Sequence, residues 1–447
     1  MVNNLTEGKP LKLLFFFAMP MVVGNLFQQL YNMVDSMVVG RFVGEDALAA
    51  VGSSFPVVFL SVAIAAGMSM GCTVVISQFF GAGKILEMKI TVSTALISLG
   101  VIGLIIMGIG EIVAGPLLTL LGTDPDIMAD SLAYLRIYFG GAVFLFLYNS
   151  LNGIYNALGD SQKPLKFLMV SALTNIVLDL LFVIQFNMGV AGVAWATLIA
   201  QGMCAVFSFF VLIARLRKLE NEEASRGKAF TFFDRSSAER IAKVGVPSML
   251  QQSIVSISMM LMQGLVNSYG KVFVAATKID TLAMMPNMNF SNAMSSYAAQ
   301  NIGARKMDRV KQGYKASMFM VVVFSLIITS IIFLFGPQLL GLFLKQGSEG
   351  SAMSYGLSYM KTVSVFYILM GALFVSNGLL RGAGDMGAFM LSSVVNLFSR
   401  VVIAYLLAHF IGSSAIWWSI PTGWAIGALF SFLRVRSGKW MARRLVD

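Results

Sequence analysis

Along the chain, apolar residues fill long blocks separated by short polar breaks. A helix needs about 20 mostly apolar residues to cross a bilayer. Twelve blocks satisfy that length: 13–39, 47–80, 91–115, 131–157, 165–186, 189–214, 241–268, 273–301, 314–343, 354–380, 387–410 and 413–434. Met1 to Leu14 is polar, carries Lys9 and Lys12, and runs into the first block without a small-residue cleavage site. No removable signal peptide is therefore expected. The pattern predicts an all-α integral membrane protein of about twelve transmembrane helices.

Composition strengthens that reading. Of 447 residues, 57% are apolar and 12% charged, about half the roughly 25% charge of a soluble domain. A soluble enzyme, a nucleic-acid binder and a disordered chain are excluded, because none could cover its surface with so little charge. One His and two Cys leave no material for a zinc site or a disulfide framework. No nucleophile–base pair is present, so no enzyme is expected.

The net charge of +11 is informative through its placement. With the N-terminus inside, 25 of 32 Lys and Arg fall on cytoplasmic segments, among them Lys84, Lys89, Lys163, the connector 215–243, Arg381 and the tail after Arg434. Five fall outside: Arg41, Arg136, Lys271, Lys345 and Lys361. That asymmetry puts both termini in the cytoplasm. The basic tail also suits anionic lipid.

The polar stretch Arg215–Lys243 divides the chain, and the two parts align. Asn152-Gly153…Gly159-Asp160 matches Asn377-Gly378…Gly384-Asp385, 225 residues on. Gln78…Gly81-Ala82-Gly-Lys84 matches Gln300…Gly303-Ala304-Arg-Lys306, and Met19-Pro20 matches Val246-Pro247. The expected organisation is two pseudo-symmetric six-helix lobes, 1–214 and 241–447, joined by a cytoplasmic connector, 215–240. Lobes of equal topology, related by an axis along the membrane normal, suit alternating access.

Charged groups at bilayer depth are costly and need a reason. Only Asp35, Asp179 and Asp280 lie well inside the blocks. Asp35 shares a helical face with Gln28, Tyr31 and Asn32, and Asn175 shares one with Asp179. With Thr197 these residues could build a site of oxygen ligands for a proton, or for Na⁺ held by Asp35, Asp179 and Asn175. Two adjacent carboxylates in a low dielectric resist double ionisation. The alternative is that they only bond neighbouring helices. Lys278 and Asp280, two residues apart, point to different faces; Asp280 is expected either to face a substrate cavity or to pair with Arg400. Candidate cavity residues are Gln28, Tyr31, Asn32, Met259, Met260, Met262, Gln263 and Asp280, since Met-rich walls repack around varied apolar cations. Pro20 is a candidate hinge, because it removes a backbone hydrogen bond inside the first span.

The ordered set Pro20, Val34-Asp35-Ser36…Gly40-Arg41, Ala47…Gly52, Gln78…Gly81-Ala82, the twin Asn-Gly…Gly-Asp segments and Thr174-Asn175…Asp179 resembles the multidrug and toxic compound extrusion (MATE) transporters over nearly the whole chain. Within them it is more similar to the DinF-like and MepA-like branches than to the NorM-like one. The resemblance implies a MATE-type fold and a monomeric, multi-pass antiporter of a bacterial cytoplasmic membrane. Such a protein exports organic cations against inward H⁺ or Na⁺, without a cofactor or nucleic acid. DinF-like members place cation-coupling acids at positions matching Asp35 and Asp179. NorM-like members place theirs in the second lobe, where the tenth span here has no acid. A flippase of lipid-linked precursors is the rival within the superfamily; a non-transporting membrane receptor or scaffold is the rival outside it.

Overall fold

The computed structural model describes residues 4–219, 229–268, 271–341, 350–411, 415–443 and 445–446. These are helical almost throughout. In chain order the helices are α1 Pro10–Val38, α2 Glu45–Gly81, α3 Ile85–Leu120, α4 Met128–Gly140, α5 Ala142–Ala157, α6 Gln162–Leu180 and α7 Gly189–Arg217. They continue as α8 Arg235–Ser268, α9 Lys271–Gly303, α10 Met307–Gly341, α11 Gly350–Ser364, α12 Tyr367–Ala383, α13 Met386–Ile411 and α14 Ala415–Arg436. The pairs α4–α5 and α11–α12 are spans bent by 51° and 46°. Counting each pair once gives the twelve expected spans. Among the described residues seven helices are long and apolar enough to cross a membrane by composition alone, or nine with each bent pair taken as one span. The others carry more internal polar residues, such as Gln251 and Gln252 of α8 or Asn287 and Asn289 of α9.

Packing divides the chain into two units that do not coincide with the lobes expected at 214 and 241. Among the described residues, one comprises Val23–Ile257 and the other Asn4–Val22 with those from Ser258 onward. The assignment changes inside two continuous helices, α1 and α8. In α1 the change falls just after Pro20, through which the helix runs unbroken.

Within the units the repeat is visible bond by bond. In the first, Ser69 Oγ of α2 donates to the Asn149 carbonyl of α5 (2.6 Å). In the second, Ser291 Oγ of α9 donates to the Phe374 carbonyl of α12 (2.6 Å). The Asn-Gly pairs lie at these crossings. A Cβ on Gly153 would collide with Ser69 Oγ and Thr73 Oγ1, and one on Gly378 with the Ser291 carbonyl. Small residues let helix backbones approach where hydrophobicity gives no drive to associate. Gly159 and Gly384 then end α5 and α12 at φ of 72° and 83°, a left-handed conformation that favours glycine. The Asp after each glycine is held by an Arg: Asp160 by Arg215 (2.6 Å) and Asp385 by Arg434 (2.7 Å).

Arg381, counted above with the cytoplasmic charges, is 6% exposed. It donates from Nε to Ser295 Oγ (3.2 Å) and from Nη2 to Asn292 Oδ1 (2.9 Å). A charge one turn from a helix end reads as solvated in sequence, yet here it ties α12 to α9.

The Gln…Gly-Ala-x-Lys element of the second unit grips the segment that leads into α1. Gln300 Oε1 accepts from the Leu5 amide (3.0 Å), Asn301 Nδ2 donates to the Leu5 carbonyl (3.2 Å), and Lys306 Nζ donates to the Thr6 carbonyl (3.2 Å). In the first unit, the lead into α8 is held by α3. The Asp234 amide donates to Thr94 Oγ1 (3.0 Å), and Thr91 and Ser237 share a hydroxyl bond (3.2 Å). Asp234 caps α8 by accepting the Ser237 amide at Oδ2 (2.7 Å).

Two outcomes follow from these contacts. Gly378→Ala should lower the melting temperature in detergent by an amount equivalent to about 1–3 kcal/mol of overpacking. Gly387→Ala, whose Cβ would meet nothing within 4 Å, should leave it unchanged. Hydrogen bonding from Ser237 holds the Asp234 carboxyl below its usual range, so its cap is present above the unfolded value of about 3.9 and is lost as pH falls through the folded value. Asp234→Ala should therefore cost about 1 kcal/mol at pH 7. The gap to wild type should close as thermal unfolding is repeated towards pH 3.

Candidate cation-binding site

Asp35 lies in the last turn of α1 and Asp179 next to the end of α6. Both helices continue as π-helical turns, Val39–Val43 and Leu181–Gln185, a distortion frequent at functional sites. Beside these turns the two carboxyl groups come within hydrogen-bonding reach of each other inside the first unit. Two carboxylates cannot stay in contact without a proton or a cation between them. Asp179 is fully buried and Asn175 is 1% exposed.

The Asn175 amide is oriented by its neighbours. Its Nδ2 donates to Asp179 Oδ2 (2.9 Å), and its Oδ1 accepts from the Thr197 amide (3.1 Å) and hydroxyl (3.2 Å). Tyr31 hydrogen-bonds Thr197 from α1. Asp35, Asp179, Asn175 and Thr197, expected as one cluster, are thus brought together, with Tyr31 beside them. One oxygen of each acid, Asp35 Oδ1 and Asp179 Oδ1, is buried with no hydrogen-bond donor beside it. Carboxyl oxygens without donors, with amide and hydroxyl oxygens nearby, form a donor set suited to a hard monovalent cation, and equally to a shared proton.

In and around the π-turns, Val38, Val39, Val183, Val190, Val193 and Tyr134 pack into one apolar cluster. It gives the acid pair an apolar neighbourhood at that end. Tyr134 of α4 lies within electrostatic reach of both acids, and Tyr138 within reach of Tyr31 and Tyr134; neither was anticipated. The signal was available: Tyr134 and Tyr138 are four residues apart, on one face of the span.

The remaining candidates are more dispersed. Gln28 Nε2 donates to Asn32 Oδ1 (3.2 Å), one to two turns from Asp35, and Asn32 is exposed. Met259 is 56% exposed and Met260 half-buried; the side chains of Met262 and Gln263 lie outside the described residues. Of the two alternatives for Asp280, the contacts match the interhelical one: it is buried in the second unit, where Tyr359 (3.2 Å) and Tyr367 donate to its two oxygens. Arg400 acts on it electrostatically. Lys278, two residues away, is exposed, as expected of a different face.

Repeated bundles of membrane-length helices around a buried acid pair describe a multi-pass membrane transporter. The MatE family model matches residues 20–181 and again 247–406, and the chain belongs to this family. The two matches begin at Pro20 and Pro247, the residues that open the internal repeat. The probable multidrug resistance protein YpnP of Bacillus subtilis is 31% identical over 450 residues, covering 99% of this chain and 98% of that protein. The multidrug export protein MepA of Staphylococcus saprophyticus is 22% identical over 423 residues, covering 94% and 92%. A crystal structure of MATE in the straight conformation superposes with a TM-score of 0.88 at 25% identity, and one in the bent conformation with 0.86 at 26%. Each covers 98% of both chains.

Asn175→Leu removes the donor to Asp179 and the acceptor for Thr197 together. Stranding those buried groups should cost about 1–3 kcal/mol, read as a lower melting temperature, whereas Asn32→Leu at an exposed position should change it little.

Proposed function

We propose that this protein exports small organic cations in exchange for H⁺ or Na⁺, and that the coupling ion is held by Asp35, Asp179, Asn175 and Thr197. The observation that carries the reading is the contact between two buried carboxyl groups in one unit, which only a positive charge can sustain. The names of the relatives, multidrug resistance and multidrug export, supply the cargo class. In the proposed cycle the incoming ion neutralises the acid pair, α1 shifts about Pro20, and the polar surface at Gln28, Tyr31 and Asn32 is remodelled to release cargo. Met259, Met260, Met262 and Gln263 supply the adaptable apolar wall. The protein acts as a monomer by alternating access, with no cofactor beyond the ion. It sits in a bacterial cytoplasmic membrane with both termini on the basic, cytoplasmic side, and its two lobes are 1–214 and 241–447.

Energy constrains the stoichiometry. One charge crossing about 100 mV yields roughly 2.3 kcal/mol. A monovalent cargo leaving for one entering ion cancels that electrical term, so concentrating it requires a second ion or a steep ion gradient. A site with two acids can accept two.

The test is cargo efflux from proteoliposomes under an imposed pH or Na⁺ gradient. Wild type should respond to one of them, and Asp35→Asn and Asp179→Asn should each lower gradient-driven efflux roughly tenfold or more. Undiminished efflux in both variants would overturn the coupling assignment. A wild type that neither gradient drives would instead favour movement of a lipid-linked precursor.

A further inference from the structure

In the second unit the opening half of α1 and the first half of α10 leave a groove with a cavity of about 310 Å³. Leu11, Lys12 and Phe15 line it from α1, and Phe319, Val323 and Phe324 from α10. Its walls are apolar apart from Lys12. Phe319 is 59% exposed and Leu11 42%, so the groove opens outward from the unit. The α10 residues form one helical face, and that face continues one turn towards the basic end of the helix to Lys315, which is exposed. Lys311, a turn further, already faces Asp308 at 3.8 Å. Lys12 in the lining and Lys315 one turn from Phe319, neither with a carboxylate within salt-bridge distance among the described residues, therefore add positive charge to an apolar trough.

An apolar helix face in a membrane is wetted by any acyl chain and selects none. A concave face with cationic ends is different, because the chain fixes where the headgroup lies and the lysines read its charge. We propose that this groove binds one anionic phospholipid, with an acyl chain against Phe15, Phe319 and Phe324 and its phosphate between Lys12 and Lys315. The lipid then packs against the half of α1 that precedes Pro20. The inference is independent of the coupling ion.

Native mass spectrometry of the full chain in neutral detergent tests it, with phosphatidylglycerol and phosphatidylcholine of matched chains as probes. At about fivefold per lysine near a charged headgroup, wild type should bind one phosphatidylglycerol at least tenfold tighter than phosphatidylcholine. The double variant Lys12→Gln/Lys315→Gln should erase the preference with an unchanged melting temperature. Lys166→Gln/Lys243→Gln, exposed lysines of the other unit, should keep it. Val323→Trp, which fills the groove and leaves both lysines, should also abolish the tight site. Equal affinity of wild type for the two lipids would overturn the proposal, as would a preference that survives the double variant. A preference that survives Val323→Trp would show that the lysines act without the groove. Equally tight binding of water-soluble glycerophosphoglycerol would show that no acyl chain is needed.

Discussion

Two carboxyl groups that touch inside an apolar bundle must share a positive charge, and the first unit is arranged around that requirement. The α1 and α6 helices each relax into a π-turn beside their acid, so that Asp35 and Asp179 meet instead of facing separate neighbours. Asn175 commits its amide nitrogen to Asp179 and its oxygen to Thr197, which leaves one acceptor on each acid uncommitted. The valine cluster around the π-turns lowers the local dielectric and raises the penalty for leaving the pair doubly negative. Remove the shared charge and the same groups repel. The arrangement thus has two energetically distinct states, and an ion is the natural variable between them.

The second unit keeps the scaffold and discards this chemistry. Its serine-to-carbonyl crossing, its glycine contacts and its Asp–Arg clamp reproduce those of the first unit to within 0.1 Å in the quoted bonds. Yet Arg400 stands where the repeat places Asp179, and its buried acid, Asp280, is held by two tyrosines on another span. The backbone contacts that let helices approach have persisted, while the residues that face inward have diverged.

How much of this was legible follows from what each feature depends on. Block length exposed the twelve spans, because crossing a bilayer needs a fixed run of apolar residues whatever the fold. It missed the bends near Gly140-Gly141 and Val365-Phe366, since neither interrupts hydrophobicity. The acid cluster was legible because i,i+4 spacing fixes shared faces and buried charge is rare. Tyr134 and Tyr138 escaped because tyrosine in a span is unremarkable until its neighbours are known. The bonds of Arg381 to α9 escaped because nearness to a helix end does not report burial. The exchange of packing partners within α1 and α8 was illegible: a polar connector marks where a repeat ends, and only long-range contact decides which unit a helix completes.

That exchange bears on how the molecule is made. The first unit needs residues as far as Ile257, so it stays incomplete until most of α8 has left the ribosome, well past the connector. The segment Asn4–Val22 precedes Val23–Ile257 along the chain and yet packs with the unit that is finished later. Its clasp on Gln300, Asn301 and Lys306 can close only after some three hundred residues have followed it. That segment must therefore wait, its backbone groups at Leu5 and Thr6 without these partners, while the whole first unit is made.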